Sequence, residues 1–457
     1  MQIILIAMGL LLAFSLLSFA IVSRQEDESH AARRALLLAF LLPLPYFALG
    51  FSGFFWQPPA TWHTIISALL LAFTFAAGLF LLLPIGNRLI AEKDTPQKQI
   101  DERDIMFSRM LLQEGTERFD AYYAANPGKK KLDDNFRKRP GLMREGALYY
   151  DPFTTAAAEA SFKTVAAFHT LLDQEDLAEQ SVKVDPAKMS EFVKRWSAKL
   201  GAVSSGITEL KDYHLYSIIG RGDRYGQAVE LSHAYAIALT VEMDKYLLDP
   251  APHGPTIMES AQQYLNSGAI AVQLAEFIRH LGYSARAHID GSYRVVCPLV
   301  ARDAGLGEIG RMGLLMTPEL GPRVRIAVVT TDMPLVFDAR DRDLTMIDFC
   351  KRCKKCADVC PSKAISFDDQ QEINGAMRWQ INSEACFTYW CTVGTDCAKC
   401  MRACPYSHPD NLLHNLVRGG LKRSAPFREF ALKMDDFFYG RDPAPAPIPD
   451  WLDPTAK

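Results

Sequence analysis

Cysteine is the residue type that carries the clearest chemistry in this sequence. Nine of the ten cysteines lie between positions 350 and 404. The first run, residues 350–361, has the spacing C-x2-C-x2-C-x3-C-P, which is typical of proteins that bind cubane 4Fe–4S clusters. A second run, residues 397–405, repeats the last part of that pattern. Two runs predict two clusters and a role in electron transfer.

The ligand sets follow from two-cluster ferredoxins, in which the fourth cysteine of each run binds the other cluster. The first predicted set is Cys350, Cys353, Cys356 and Cys404. The second is Cys360, Cys397 and Cys400, with either Cys386 or Cys391. Structural zinc prefers paired C-x2-4-C knuckles and needs neither the third cysteine nor the proline. Disulfides need an oxidising compartment and wider spacings, so the pattern favours iron–sulfur clusters.

Three apolar segments precede the cysteines, at residues 3–22, 35–55 and 64–83. Each is long enough to cross a ~30 Å hydrocarbon core as a helix. The first has no basic n-region and no A-x-A site, which argues against a signal peptide. Pro43 and Pro45 predict a kink in the second segment. We therefore expect a three-helix membrane anchor in contact with the lipid bilayer.

The basic residues around these segments predict their orientation. The loop after the first segment contains Arg24, Arg33 and Arg34, and positive residues also follow the third segment, whereas the link at 56–62 contains none. The positive-inside rule then predicts a multi-pass inner-membrane protein with its large C-terminal portion in the cytoplasm.

The length of 457 residues exceeds one compact core, so several domains are expected. We predict an anchor at 1–90, a catalytic domain at 91–345, a two-cluster module at 346–415, and a tail at 416–457 that packs on the core. The formal net charge of −3 gives no reason to expect a nucleic-acid partner.

Residue patterns in the middle of the chain predict an α/β or α+β body. Helices are expected at 155–172, 227–247 and 257–281, the last ended by Gly282. Strands are expected at 283–288, 293–297 and 323–331, the first two joined by a turn at Asp290-Gly291. Residues 305–313 contain four glycines in nine positions, which predicts a close backbone approach or positive φ. A cofactor-facing loop is favoured there, and a tight structural turn is the alternative.

Four passages resemble the corrinoid iron–sulfur reductive dehalogenases, with epoxyqueuosine reductases as more distant relatives. They are residues 101–109, the block 304–335, the cysteine region through 404–408, and residues 435–440. The resemblance implies a nitroreductase-like cobalamin-binding domain joined to a ferredoxin-like two-cluster module. It also implies that Cys386, which precedes an aromatic stretch ending in Trp390, is the ligand and Cys391 an extra cysteine. The family is usually exported and bound to a separate anchor, and this chain departs from that pattern.

The resemblance also implies site residues. Tyr264 would donate a proton to the dehalogenated carbon, and Arg323, about sixty positions later, would lower the pKa of its phenol. Asp290 falls on a third polar position and keeps the epoxyqueuosine reductases as an alternative. The residues expected to contact cobalamin are Gly305, Leu306, Gly307, Glu308, Gly310, Arg311 and Gly313.

A known histidine-ligand motif of corrinoid proteins is incomplete here. Ser217 replaces the glycine of D-x-H-x-x-G, so we expect base-off cobalamin without His214 as a ligand. The expected substrate is a small organohalide, and the expected electron donor is a quinol or a ferredoxin-type protein. An electron-transfer subunit that binds no corrinoid is the third alternative.

Overall fold

A computed structural model describes residues 1–55, 60–86, 88–174 and 177–452 of the chain. The α-helices in these ranges are α1 (Gln2–Gln25), α2 (Ser29–Leu41), α3 (Leu44–Phe55), α4 (Ala60–Leu82), α5 (Met106–Arg109), α6 (Glu117–Ala125), α7 (Pro127–Arg137), α8 (Pro152–Ala167), α9 (Pro186–Leu200), α10 (Lys245–Leu248), α11 (Pro255–His280), α12 (Cys297–Asp303), α13 (Leu344–Cys353), α14 (Lys355–Asp358), α15 (Ser383–Val393), α16 (Lys399–Arg402), α17 (Leu412–Arg423) and α18 (Ala425–Tyr439). The strands are β1 (Ser204–Glu209), β2 (Tyr235–Glu242), β3 (Ala285–His288), β4 (Glu308–Ile309), β5 (Leu315–Met316), β6 (Val324–Thr331), β7 (Gln371–Ile373) and β8 (Ala376–Arg378).

The first structural unit consists of residues 1–89 and 410–443. Three helical stretches in it are long and apolar enough to cross a membrane, at Gln2–Gln25, Ser29–Ser52 and Thr61–Leu82. They coincide with the three predicted segments. The second stretch is interrupted between α2 and α3, at Leu42-Pro43, as its prolines predicted.

Helices α17 and α18 belong to this first unit. The ring of Phe438 lies 4.6 Å from that of Phe19, and His414 Nε2 lies 3.1 Å from Glu26. The tail at 416–457 was predicted to pack on the core. Within the first unit, Phe438 is buried among residues of α1 and α2. Residues 444–452 lie in the second unit, where the Ala446 amide donates to the Asp249 carbonyl.

The second unit is built on an antiparallel sheet with strand order β1-β2-β6-β3. Because side chains alternate along a strand, each strand contributes to two cores. Ile237 and Val329 face helices α8, α9 and α11, whereas Ala236 and Val328 face α12. The unit is therefore a helix–sheet–helix sandwich, in agreement with the predicted mixed class.

Two local predictions are wrong. Within 227–247, predicted as a helix, residues 235–242 form β2, a central strand with both faces buried. Its alanines fit closely beneath α12, so tertiary packing outweighs their helix propensity. Within 293–297, predicted as a strand, only Val295 forms an isolated bridge, and α12 begins at Cys297.

The long helix is close to its prediction. Helix α11 spans Pro255–His280, and Gly282 follows with φ +83°. That left-handed conformation suits glycine and ends the helix. Because α11 contains Tyr264, the packing of α11 against the sheet determines where the predicted proton donor lies.

Candidate functional site

The cysteines of the two runs lie in two mixed groups, and none forms a disulfide. Burial raises the pKa of the Cys404 thiol well above its ordinary value, and the neighbouring Cys350, Cys353 and Cys356 raise it further. Cys404 comes from the second run and its three neighbours from the first. This grouping is the first ligand set that the spacing predicted.

The second group is mixed in the same way. Burial raises the pKa of the Cys386 thiol to about 12, and the neighbouring Cys397 and Cys360 contribute to the rise. Burial raises the pKa of the Cys400 thiol well above its ordinary value, and Cys397 and Cys386 raise it further. A first-run cysteine, Cys360, thus joins the second run. Four thiols in each group are the donor set that a 4Fe–4S cluster requires.

Helix α15 places Cys386 and Cys391 on different faces. Cys391 lies in an apolar cluster with Met106, Phe136 and Phe387. Burial alone accounts for the rise of its pKa to about 11, and no other cysteine contributes. Cys386 is therefore the better placed of the two to bind a cluster, as the resemblance implied.

The two cysteine loops share an unusual backbone. Lys354 has φ 54° and Ala398 has φ 47°, each directly after a cysteine and before a one-turn helix. Such left-handed residues cost energy unless the surroundings fix them, and they concentrate at functional sites. The Ala364 amide donates to Cys360 Sγ at 3.2 Å, a bond that stabilises thiolate sulfur.

The predicted proton donor lies beneath an arginine, but not the expected one. The guanidinium carbon of Arg325 lies 4.8 Å from the centre of the Tyr264 ring. Arg323 is instead buried elsewhere, where Nε donates to the Ser407 carbonyl at 2.7 Å and a terminal nitrogen donates to the Met243 carbonyl at 2.5 Å. The prediction of Arg323 as the partner of Tyr264 is corrected to Arg325.

Strand geometry explains the correction. Odd-numbered residues of β6, such as Ala327 and Val329, face α11, and Arg325 is on the same face. Arg323 precedes the strand, where the chain turns through Gly321 at φ +55°, so the alternation does not reach it. The alternation of β6 in the sequence was the signal that could have identified Arg325.

The pKa of Tyr264 is shifted in the direction opposite to the expectation, which was a lowered pKa. Burial raises it above its ordinary value, and the nearby Arg325 offsets only part of that rise. The phenol therefore stays protonated through the neutral range. Arg325 favours the phenolate form, which is the effect expected of a cation beside Tyr264.

Asp290 and Tyr293 belong to the same group of side chains. Burial raises the pKa of Asp290, and Arg221 lowers it in part. Burial, Asp290 and Tyr264 together raise the pKa of Tyr293 well above its ordinary value. Tyr264, Asp290 and Tyr293 all remain partly exposed. Sequence reasoning identified neither Tyr293 nor Arg221.

Residues 101–109, which carried part of the resemblance, contact both the surroundings of Tyr264 and the helix that contains Cys386. Glu102 accepts from Arg221 Nε at 2.9 Å and from the Gly220 amide at 2.7 Å, which fixes Arg221 near Asp290. Arg109 donates to Glu384 at 2.6 Å, in the first turn of the helix that contains Cys386. This short segment therefore supports both the tyrosine site and the second group of cysteines.

The glycine block is packed against protein rather than left open. A side chain at Gly307 would meet the Met316 carbonyl at 2.1 Å, and one at Gly310 would meet the Met316 side chain at 2.7 Å. These contacts account for the glycines as a tight turn, the alternative considered above. Gly305 has φ +80° and its Cβ would lie 3.0 Å from the Ala339 carbonyl, whereas Gly313 has more room.

The other residues of the block also have protein partners. Leu306 is buried in the core beside α12, and Glu308 accepts from Arg340 at 3.0 Å. Arg311 donates to the carbonyls of Cys350, Ser366 and Asp368. Arg311 thus holds the first cysteine run in place. The contacts of Leu306, Glu308 and Arg311 with cobalamin stay a prediction.

The residues present are compatible with a corrinoid that binds without a histidine ligand. The buried Arg325 Nε and Asp396 Oδ1 have no hydrogen-bond partner within the described chain, so polar groups remain for a ligand beside Tyr264. His214 is engaged through both ring nitrogens, with Asp303 at 2.9 Å and the Lys211 amide at 3.1 Å. Burial lowers its pKa, which fits a neutral structural imidazole.

The chain is similar to several known proteins. A family model described as a 4Fe-4S dicluster domain matches residues 349–408. Over 207 residues the chain is 34% identical to the tetrachloroethene reductive dehalogenase of Sulfurospirillum multivorans, which covers 44% of this chain and 41% of that protein. An epoxyqueuosine reductase of Pseudomonas aeruginosa is 26% identical over 218 residues, covering 41% of this chain and 58% of that protein.

A solved structure shares the fold. The K488Q variant of the catabolic reductive dehalogenase NpRdhA superposes with a TM-score of 0.59 and 25% identity, over 80% of this chain and 50% of that one. The same protein has also been solved in complex with 3-bromo-4-hydroxybenzoic acid. This chain is therefore homologous to reductive dehalogenases, has their fold, and spans about half or less of their length.

Proposed function

We propose that this chain is an oxidoreductase that replaces a halogen by hydrogen in a small organohalide. The observation that carries the proposal is the half-buried, protonated Tyr264 beneath Arg325, in the same unit as two mixed groups of cysteines. The names of the homologous proteins support the same reaction class. The reaction consumes two electrons and one proton, and it releases a halide ion as the new C–H bond forms.

The proposed cofactors are two 4Fe–4S clusters and one base-off cobalamin. The two groups of cysteines would hold the clusters, which pass single electrons inward from a quinol or a ferredoxin-type donor. Cobalamin, when bound, supplies the reduced cobalt that breaks the carbon–halogen bond. Tyr264 supplies the proton through its hydroxyl group. Arg325 stabilises the resulting phenolate, and solvent then restores the proton.

We place the chain in a bilayer with its second unit in the cytoplasm. The proposal is supported by three long apolar helices whose side chains are largely exposed in the first and third stretches, with only 17% and 6% of the residues buried. Lipid is the solvent that such surfaces require. Arg24 at the end of the first stretch, Arg33 and Arg34 near the start of the second, and the basic residues after the third support the orientation.

Anaerobic purification followed by a test of halide release addresses the proposal. Roughly eight irons and one cobalt per chain are expected from two cubane clusters and one corrinoid, with halide release from haloaromatic or haloalkene substrates under a strong reductant. Iron without corrinoid would support the electron-transfer alternative. A loaded protein that releases no halide from any substrate would contradict dehalogenation.

Epoxyqueuosine reduction is a second candidate, favoured by the position of Asp290. This carboxyl group lies close enough to Tyr264 and Tyr293 to affect their pKa values, and its own pKa is raised by burial. Such a carboxyl group can act as a proton donor. Incubation with an epoxyqueuosine-containing tRNA stem-loop separates the candidates, since only a queuosine enzyme would consume it.

Matched lysine variants test the assignment of Arg325. Arg325→Lys keeps the charge but loses the planar stack on Tyr264, so we expect turnover about tenfold to hundredfold lower with iron content retained. Arg323→Lys loses the bonds to Ser407 and Met243, so we expect lower thermal stability and unchanged turnover per loaded chain. The reverse pattern would restore Arg323 as the partner of Tyr264.

A further inference from the structure

Arg325 is held on its far side by two residues that the proposed reaction does not use. A terminal nitrogen of Arg325 donates to Ser260 Oγ at 2.6 Å and lies 3.4 Å from Asp396 Oδ2. The Ser260 hydroxyl in turn donates to Asp396 Oδ2. Since Arg325 stacks on Tyr264, the four side chains form one connected path from Tyr264 to Asp396.

This path is enclosed by protein. Ser260 is 1% exposed and Asp396 is 7% exposed. A buried carboxylate is costly unless it is paired, so Asp396 and Arg325 restrict each other. Ser260 lies one helical turn before Tyr264 and therefore on the same face of α11. The planar guanidinium group is fixed by its bond to Ser260 at one side and by the ring of Tyr264 at the other.

The path ends in the loop of the second cysteine group. Asp396 directly precedes Cys397, which has φ +63°. The backbone carbonyl of Asp396 accepts a hydrogen bond from the Ala398 amide at 2.8 Å. The backbone that positions Cys397 therefore also positions the carboxylate that holds Arg325. Only Ser260 and Arg325 lie between Asp396 and the Tyr264 ring along this path.

We propose that Ser260 and Asp396 are positioning residues that fix Arg325 over Tyr264, so that the loop of the second cysteine group determines the geometry of the proton donor. The geometric part of the proposal is independent of the reaction. Its catalytic consequence rests on the proposed function.

A double-mutant cycle on the loaded full-length protein tests the catalytic consequence. Ser260→Ala should lower kcat for halide release about tenfold with little change in KM, because the pair is misplaced only for proton transfer. In an Arg325→Lys background the same change should have no further effect, because both act through one contact. An equal fold-decrease in kcat in the two backgrounds, or no decrease in kcat at all, would overturn the proposal.

A spectroscopic measurement tests the geometry without activity. The 19F resonance of 3-fluorotyrosine at position 264 should shift in Ser260→Ala, Asp396→Asn and Arg325→Lys, at constant iron content. Ser197→Ala removes a buried hydroxyl group from α9, where it donates to the Val193 carbonyl, and Asp369→Asn removes an exposed charge, so neither should shift it. An unmoved resonance in Ser260→Ala would refute the positioning role.

The two measurements separate the proposals. If the unmodified protein releases no halide from any organohalide, the proposed dehalogenation fails, and the 19F comparison still decides whether Ser260 and Asp396 orient the pair. If halide is released and the resonance does not respond to Ser260→Ala, only the positioning role fails.

Discussion

Tyr264→Phe should reduce halide release about a thousandfold, within the range that general acid catalysis contributes. The substitution removes only the hydroxyl group and keeps the ring on which Arg325 stacks, so the fold and the cysteine groups should be unaffected. The measurement is the rate of halide release per corrinoid-loaded chain, compared at equal iron and cobalt content.

The pH dependence should follow from the protonation state of the same phenol. Burial raises the pKa of Tyr264 above the ordinary value of 10.0, and the protonated form is the donor. The donor is therefore fully present below that pKa and is lost only above it. Halide release should not fall between about pH 7 and 9 through this group, because an ordinary tyrosine already titrates higher.

Tyr283→Phe is the matched control for Tyr264→Phe. Its hydroxyl group donates to the Val182 carbonyl at 2.9 Å, just beyond the end of α11, and takes no part in the site. Unchanged turnover is expected for it. A Tyr264→Phe protein that keeps full activity would show that another group, such as Asp290 or solvent, delivers the proton.

Cys386→Ala should remove one cluster and lower the iron content from roughly eight to roughly four per chain, since a cubane needs four protein ligands. Cys386 lies beside Cys360 and Cys397, and no other described cysteine on α15 faces that group. Turnover should be lost with the cluster. Iron analysis and electron paramagnetic resonance of the reduced protein measure both changes.

Cys391→Ala is the corresponding control on the same helix. This thiol is buried in the apolar cluster around Phe387, so its removal should cost about 1 kcal/mol in packing and leave both clusters intact. Loss of iron in Cys391→Ala with iron retained in Cys386→Ala would reverse the assignment of the ligand.

Much of the architecture was predictable because it rests on local patterns. The three apolar stretches, the interruption at Pro43 and the helix before Gly282 each follow from residues close together in the sequence. The helix prediction for residues 235–242 was wrong because the formation of a central strand depends on neighbours that are distant in sequence. The packing of residues 410–443 with the apolar helices is likewise a long-range contact that no local pattern indicates.

The cysteines illustrate what the sequence determined by itself. Their spacing predicted the crossed grouping, because in the two-cluster pattern the fourth cysteine of each run belongs with the other run. The tyrosine site was decided by the tertiary structure. Arg323 and Arg325 are two residues apart and chemically identical, and only the start of β6 and its packing on α11 direct Arg325 to Tyr264. Spacing thus determines chemistry within one loop, whereas a site assembled from a helix, a strand and a loop depends on how they pack.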